Sequence, residues 1–144
     1  MGKRRESRTL ALKVLYMYEL VGGNEQQILE DTAEKEDIAD DITVKDYAYN
    51  LITKVIANME ILNSIIEECT ENWTISRMAV IDRNILRIAI TEILLQDNVP
   101  DVVAIDEAIE IAKAYSTEDS GGFVNGILDY IVNNKKQFIE KIGK

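Results

Sequence analysis

Histidine is absent from the 144-residue sequence, and cysteine, proline and tryptophan each occur once. Histidine is the side chain most often used as a general base and is the commonest metal ligand. A chain with no histidine and one cysteine also lacks the usual ligands of zinc. Glycine-rich phosphate loops, nucleophile elbows and dinucleotide fingerprints are missing from the sequence as well. We therefore expect no catalytic residue, no metal and no cofactor.

Long apolar runs are missing too. No stretch of eighteen residues is apolar enough to suggest a membrane-spanning helix, and no uncharged signal-peptide core follows the basic N-terminus. The single cysteine, Cys69, has no partner for an internal disulfide, and its apolar neighbours Ile65 and Ile66 predict a small core residue. The sequence predicts a cytoplasmic protein that does not enter membranes.

The residues that are present favour helices. Hydrophobic residues make up 47% of the chain, and they recur at helical spacing through most of it. This spacing predicts an all-α fold of about seven helices, arranged as two small bundles packed on one another within a single domain, residues 1–144. The polar stretch 70–76 predicts helical subdomains of about residues 1–72 and 73–144, with Trp73 filling the joint between the two bundles.

Local motifs predict where several helices begin and end. The first helix should stop at the glycine pair Gly22 and Gly23, because a glycine stop commonly follows a helix. Thr43 with Asp46 resembles a capping box and predicts the start of a third helix at about residue 44.

Two of the predicted helices carry residues that their apolar pattern does not explain. The fifth, about residues 77–96, is the most apolar and should be central in the second bundle. We expect Arg83 and Arg87, one turn apart, to mark its most solvated edge and to form ion pairs there. Gly126 lies inside the last apolar helix, where glycine costs about 1 kcal/mol relative to alanine. We expect it to let another backbone approach closely.

Charge is distributed unevenly along the chain. The net charge is −10, but the first thirteen residues hold five cations and one acidic residue, a local balance of +4 that leaves −14 for the rest. A net negative charge argues against nonspecific nucleic-acid binding by the whole surface. A basic tip on an acidic body would instead direct an anionic ligand to one place.

The first helix presents an unusual outer face. Leu12 and Tyr16 fall roughly opposite its core face, and their neighbours on that side are Arg5, Arg8 and Glu19. Either a neighbouring helix covers these residues, or they form a surface for a partner, since aromatic and arginine side chains are enriched in interface hot spots. A tyrosine can also stack on an unpaired base while arginines hold the phosphates.

Several blocks of the sequence resemble the NusB family of bacterial transcription antitermination factors. The resemblance is carried by VAIDEAIEIAK at 103–113, EDSGGFVNGILD at 118–129, IDRNILRIA at 81–89, DNVP at 97–100, and an N-terminal pattern of Arg8, Ala11, Leu12, Leu15, Tyr16 and Glu19. The blocks occur in the order expected of the family and cover most of the chain.

The resemblance implies a NusB-like fold of two helical subdomains and a function without catalysis. Members of the family bind the boxA element of nascent ribosomal and antiterminated transcripts, as a heterodimer with NusE, a small-subunit ribosomal protein. The complex joins the RNA polymerase elongation complex and keeps it transcribing past terminators, notably in ribosomal RNA operons.

The resemblance also assigns roles to positions that match the family's motifs. The implied RNA-binding residues are Lys3, Arg4, Arg5, Arg8, Tyr115 and Asp119. The implied partner-binding residues are Leu12, Tyr16, Glu19 and Asp82. A carboxylate beside RNA is electrostatically unfavourable unless it orients an arginine, accepts from a base amine or caps a helix. Of these three we favour the cap, so Asp119 is expected to cap the last helix.

Alternatives from other functional classes stay open at this point. One is a protein–protein adaptor of the same fold without specific RNA binding, against which the basic tip argues. A second is an enzyme part, since similar domains occur fused to RNA cytosine methyltransferases, although this chain contains no cofactor-binding α/β region. A homodimer that hides the stripe from Leu12 to Tyr16 is compatible with the main interpretation.

Overall fold

The computed structural model describes residues 2–70 and 74–143. Within those ranges the chain forms eight α-helices and no β-strand. The helices are α1 (Lys3–Val21), α2 (Glu25–Lys35), α3 (Ile42–Ala57), α4 (Met59–Cys69), α5 (Val80–Ile90), α6 (Asp101–Tyr115), α7 (Ser120–Asn133) and α8 (Lys135–Ile142). A 3-10 turn (Ile75–Arg77) precedes α5, and a π-helical turn (Thr91–Leu95) extends it. The all-α prediction is confirmed, with one helix more than the seven expected.

The chain divides into two compact units, the first ending at Ala57 and the second beginning at Asn58. Helices α1 to α3 pack on one another in the first unit, and α4 to α8 belong to the second. This division falls one helix earlier than the boundary expected at about residue 72, because α4 packs against α5 and α7. Trp73, which was expected to fill the joint between the bundles, lies outside the described residues.

Helix α1 is buried over a wider part of its circumference than contact with one neighbouring helix would cover. It packs against both α2 and α3, and its buried apolar residues are Leu10, Ala11, Leu12, Val14 and Leu15. Of the two alternatives for Leu12, coverage by neighbouring helices is the one found, since only 3% of its surface is accessible. Tyr16, one turn further, is half-buried.

The end of α1 is set by glycine, as the sequence predicts. Gly22 has φ 81° and ψ −169°, and its N–H donates to the carbonyl oxygen of Tyr18 at 2.9 Å. Gly23 follows with φ 109°. Both values lie in a region that L side chains rarely adopt, so the chain leaves the helix at the first position where only glycine is comfortable.

Gly126 in α7 does not serve the purpose expected of it. A Cβ built at this position would meet nothing within 4 Å, and Gly126 and its neighbour Asn125 are both exposed. No other backbone of the described residues approaches there, and the prediction of a close approach is wrong.

Alanine at the two glycines should have opposite effects on stability. Gly22→Ala forces a side chain into a strained conformation and should lower the free energy of unfolding by about 1–3 kcal/mol. Gly126→Ala places a better helix former in open space and should raise the free energy of unfolding by about 1 kcal/mol. Urea denaturation of the two variants measures both shifts. Equal stability of Gly22→Ala and the parent chain would show that the positive φ is not required.

Helix α3 begins two residues earlier than the sequence suggested and uses a different cap. The N–H of Val44 donates to Oδ1 of Asp41 at 3.2 Å, and the helix starts at Ile42. The expected cap at Thr43 is therefore replaced by Asp41, whose carboxylate satisfies a donor of the first turn.

Helix α5 lies at the centre of the second unit, and its polar side chains contradict the expected solvated edge. Arg87 is 2% exposed. Its Nε donates to Oδ1 of Asn63 and its Nη1 to Oδ1 of Asn84, both at 2.9 Å. Nη1 of Arg83, which is half-buried, donates to the carbonyl oxygen of Ile75 at 2.8 Å. Both arginines donate to polar groups of their own unit.

The C-terminal segment forms a separate short helix, α8, anchored at several points. Phe138 is fully buried and meets Tyr130 edge to face, with ring centroids 6.1 Å apart. Lys135 pairs with Asp101 at 2.9 Å, and Lys141 with Glu68 at 2.7 Å. The segment therefore continues as ordered helix beyond α7.

None of the described helices combines the length and apolar character needed to cross a membrane. No group of three or more histidine, cysteine, aspartate or glutamate side chains among the described residues is arranged to hold a metal ion.

Candidate functional site

The first candidate surface is the start of α1, here called the basic segment: Lys3, Arg4, Arg5 and Arg8. Lys3 and Arg4 are exposed and Arg5 is half-exposed. Arg8 is 4% exposed, so its expected place on an exposed tip is wrong. It lies one turn before Leu12, on the side of α1 that is buried. Three cations, not four, are therefore accessible to a ligand.

Lys3 and Arg4 have partners within the first unit. Nζ of Lys3 lies 2.8 Å from Oδ2 of Asp41. The guanidinium carbon of Arg4 lies 3.7 Å from the centre of the Tyr47 ring, a cation–π contact that holds the arginine against α3. The hydrogen bond between Lys3 and Asp41 raises the pKa of the lysine and lowers the pKa of the carboxyl, so both groups are charged at neutral pH.

The last turns of α1 carry exposed apolar residues that the sequence reasoning missed. Tyr16 and Glu19 are half-buried. Met17, Leu20 and Val21 follow at helical spacing and are 43%, 54% and 73% exposed. Their spacing of three and four residues shows in the sequence that they are neighbours on the helix. Exposed apolar groups in one patch commonly mark an interaction surface.

The second candidate surface is a cleft in the second unit, with a volume of about 510 Å³. One wall comes from the segment that leads into α5, and the other comes from the loop between α6 and α7. The lining residues are Arg77, Met78, Ala79, Asp82, Thr117, Asp119, Ser120 and Phe123. Asp82 and Asp119, assigned different roles by the resemblance, thus line the same cleft.

Asp82 ties the two walls of this cleft together. Its Oδ1 accepts from the hydroxyl of Ser116 at 2.6 Å, and its Oδ2 accepts from the hydroxyl of Ser120 at 3.2 Å. Oγ of Ser120 in turn accepts from the N–H of Thr117 at 3.4 Å. The carboxylate also lies in the first turn of α5, where the helix dipole stabilises negative charge.

Asp119 does not have the role that we favoured. It is the residue before α7, but its side chain makes no capping hydrogen bond, and it is exposed. Ser120 performs the local bonding instead, because its hydroxyl reaches both Asp82 and the backbone of the loop. Asp119 therefore presents its carboxylate to whatever enters the cleft. Tyr115, at the end of α6, is 42% exposed.

The two aspartates should differ in their contribution to stability. Asp82→Ala removes the acceptor of two hydroxyl groups and should lower the free energy of unfolding by about 1–2 kcal/mol. Asp119→Ala removes an exposed carboxylate and should change it by less than about 0.5 kcal/mol. Thermal and urea denaturation of the two variants make the comparison. A destabilisation by Asp119→Ala equal to that of Asp82→Ala would show that the hydroxyl contacts are not what stabilises the loop.

Chemically, the two surfaces offer groups for binding. The basic segment supplies cationic donors for phosphates or carboxylates. The cleft supplies one guanidinium, two carboxylates, hydroxyl groups and the ring of Phe123, which can donate, accept and stack. A helical chain with these two surfaces has the groups that a protein binding an anionic ligand requires.

The chain belongs to the NusB family, whose model matches residues 5–133. A transcription antitermination protein NusB of Chloroherpeton thalassium is 45% identical over 133 residues, which are 92% of this chain and 63% of that protein. The chain thus spans less than two thirds of the length of this relative. The family is one of transcription antitermination factors and is not known as an enzyme family.

Solved structures show the same fold. NusB of T. maritima is 40% identical, with a TM-score of 0.82 over 90% of each chain. A structure of antitermination factors NusB and NusE in complex with double-stranded RNA is 28% identical, with a TM-score of 0.84 over 93% of this chain and 98% of that chain. The recognition of the family from sequence blocks is confirmed.

Proposed function

We propose that this chain is a cytoplasmic transcription antitermination factor that binds boxA-type RNA together with NusE. In this role it helps the RNA polymerase elongation complex read through terminators, notably in ribosomal RNA operons. The observation that carries the proposal is the exposed start of α1, where cations gather on a chain of net charge −10. Membership of the NusB family supports the same function.

RNA phosphates are the ligand that the basic segment fits. Lys3, Arg4 and Arg5 are accessible on the first turn of α1, and arginine pairs with phosphate oxygens through two parallel hydrogen bonds. These contacts give affinity that falls with salt and does not depend on sequence. Arg8 is left out of this group because it is buried.

Sequence recognition requires groups that read bases. Side chains cannot reach into the deep major groove of A-form RNA, so sequence is read on unstacked, single-stranded bases. Tyr115 has an exposed ring that can stack on a base, and the exposed carboxylate of Asp119 can accept from a base amine. We assign both residues to the RNA-facing side of the second unit.

NusE is the partner that we assign to the outer face of α1 and to the cleft. Tyr16 and Glu19 are partly accessible and adjoin the exposed Met17 and Leu20. Asp82 lies at the cleft and is held in a fixed orientation by two hydroxyl groups. Leu12 is withdrawn from this surface because it is buried.

Fluorescence titration of labelled RNA tests the proposed function. Single-stranded boxA-type RNA, its scrambled form and a duplex of the same sequence are titrated with the chain alone and with the chain plus NusE. We expect boxA RNA to bind most tightly, and NusE to tighten it further. Equal binding of the scrambled RNA would reduce the function to nonspecific attraction. Preferential binding of the duplex would overturn readout of single-stranded bases.

Tyr16→Asp tests the NusE surface. A charge on a partly buried aromatic of an interface should weaken NusE binding about tenfold, because such residues are enriched among hot spots. Glu25→Asp, at the partly buried start of α2, is a control that leaves α1 unchanged. Isothermal titration calorimetry measures the affinity, and circular dichroism checks that the fold is retained. Undiminished affinity with an intact fold would remove Tyr16 from the interface.

A second function, an adaptor without specific RNA binding, is favoured by one observation. Met17, Leu20 and Val21 form an exposed apolar patch on α1, which suits a protein partner or a second copy of the chain better than it suits RNA. Capture of NusE with no preference for boxA RNA would support this function. If the chain associates with itself and NusE competes with that association, the patch binds both a second copy of the chain and NusE.

A further inference from the structure

We infer that Asp41 competes with RNA phosphate for Lys3 and thereby lowers the affinity of the basic segment for any polyanion. The inference rests on the proposed function, since it concerns the same cations. It makes Asp41 a residue that sets RNA affinity without touching RNA.

The acidic loop between α2 and α3 lies alongside the cations of α1. Asp41 Oδ2 is 2.8 Å from Lys3 Nζ, and Glu36 Oε1 is 2.8 Å from Lys13 Nζ. Ten residues of helix separate Lys3 from Lys13, a rise of about 15 Å. The loop therefore touches the basic side of α1 at two separate points, one of them within the basic segment.

The loop is held in this position by contacts of its own. Lys45 Nζ donates to the carbonyl oxygen of Ala39 at 2.9 Å and pairs with Glu30 at 2.7 Å. Asp41 is fixed from the other side, because its Oδ1 accepts from the N–H of Val44 at the start of α3. One carboxylate oxygen thus anchors the residue while the other faces Lys3.

A carboxylate oxygen at hydrogen-bond distance accepts a hydrogen bond from an ammonium group, as a phosphate oxygen would. The side chain of Lys3 is 62% exposed and that of Asp41 is 25% exposed, so RNA can reach the lysine but meets the carboxylate at the same place. The ammonium group has three N–H donors, so a phosphate either displaces the carboxylate or binds Lys3 beside it. In the first case the ion pair is lost, and in the second the phosphate is repelled by the negative charge of Asp41, so both reduce the gain from the phosphate contact.

Asp41→Asn separates this competition from the capping role. Asparagine keeps an oxygen that can accept from Val44 N–H, so the start of α3 is retained, but it no longer carries the charge that holds Lys3. The matched control is Asp40→Asn, which makes the same change in net charge at the neighbouring, exposed position. Any difference between the two variants reports the contact and not the total charge.

The test uses poly(U) and boxA RNA, each titrated with the full chain at several salt concentrations. We expect Asp41→Asn to bind both RNAs about two- to fivefold more tightly than Asp40→Asn at low salt. Its plot of log affinity against log salt should be steeper by about 0.7, the change for one further single-strand phosphate contact. Adding Lys3→Met should abolish the gain. Equal affinities of the two asparagine variants, or a gain that survives Lys3→Met, would overturn the inference.

The outcome is distinguishable from failure of the proposed function. Poly(U) reports the phosphate contact whether or not boxA is preferred, so loss of boxA preference alone would contradict the function and leave the competition measurable. An NMR titration of the lysine side chains gives a readout without RNA. The pKa of Lys3 is raised by its hydrogen bond with Asp41, and it should fall in Asp41→Asn but not in Asp40→Asn.

Discussion

Replacing Arg4 and Arg5 together by glutamine is expected to weaken binding of boxA RNA about thirtyfold at low salt. Both guanidinium groups lie on the accessible part of the basic segment, and charge-assisted hydrogen bonds to phosphate are stronger than neutral ones. The dependence of log affinity on log salt should become shallower by about 1.4, since two phosphate contacts on a single strand are lost. Fluorescence anisotropy at four or more salt concentrations measures both quantities.

The matched control for this prediction is the double variant Lys35→Gln and Lys136→Gln. Both lysines are exposed, and the variant makes the same change in net charge outside the basic segment. It should lose less than about threefold in affinity, because it leaves the guanidinium groups of the basic segment in place and removes no direct phosphate contact of that segment. An equal loss in the two variants would mean that RNA responds to total charge and that the start of α1 is not the binding site.

Replacing Arg87 by methionine is expected to lower the free energy of unfolding by about 3 kcal/mol. Arg87 is buried, and its side chain donates to the amide oxygens of Asn63 on α4 and Asn84 on α5. Methionine fills similar space but leaves these acceptors without their donor inside the unit, and an unsatisfied buried polar group is costly. Urea denaturation measures the loss. If the free energy of unfolding falls with urea concentration at the same slope as in the parent chain, the substitution has changed stability and not the surface exposed on unfolding.

Arg77→Met is the appropriate comparison, since Arg77 is an exposed arginine of the same unit. It should change the free energy of unfolding by less than about 0.5 kcal/mol. If Arg87→Met were no more harmful than Arg77→Met, the buried network would contribute nothing to stability, and burial of the arginine would have to be explained by packing of its aliphatic part alone.

Much of the local structure could be predicted because its causes are local. The end of α1 at Gly22 follows from the conformation that glycine tolerates. The apolar spacing of α5 correctly indicated a central helix, since Ile85, Leu86 and Ile90 are all buried. The concentration of cations in the first two turns of α1 could be counted directly, and the exposed Lys3 and Arg4 lie there.

Two of the errors concern arginines on partly apolar helices. Arg8 and Arg87 were both expected on an exposed side, and both are buried. Helical spacing shows that two residues share a face, but it does not show whether one neighbouring helix or two cover that face. Arg87 also needs acceptors, and one of them, Asn63, is 24 residues away in sequence. Nothing local to α5 indicates that such an acceptor will be present.

The cleft in the second unit could not be predicted from the sequence either, because its contacts join residues that are distant in sequence. Asp82 is bonded to Ser116 and Ser120, which follow it by 34 and 38 residues. Its position in the first turn of a helix was predictable, but its hydroxyl partners depend on how α5 packs against α6 and α7. Asp119 looked like a helix cap from its local pattern, yet the packed loop gives the bonding role to Ser120.

The sequence by itself determined that the chain is helical, that its first turns are cationic on an acidic chain, and that it resembles the NusB family. Each of these depends on residue type and on spacing along one helix. Only the tertiary structure decided that Arg8, Leu12 and Arg87 are buried, and that Asp41 holds Lys3. Burial and ion pairing require groups distant in the chain to meet at a few ångströms, and that meeting is set by the packing of whole helices.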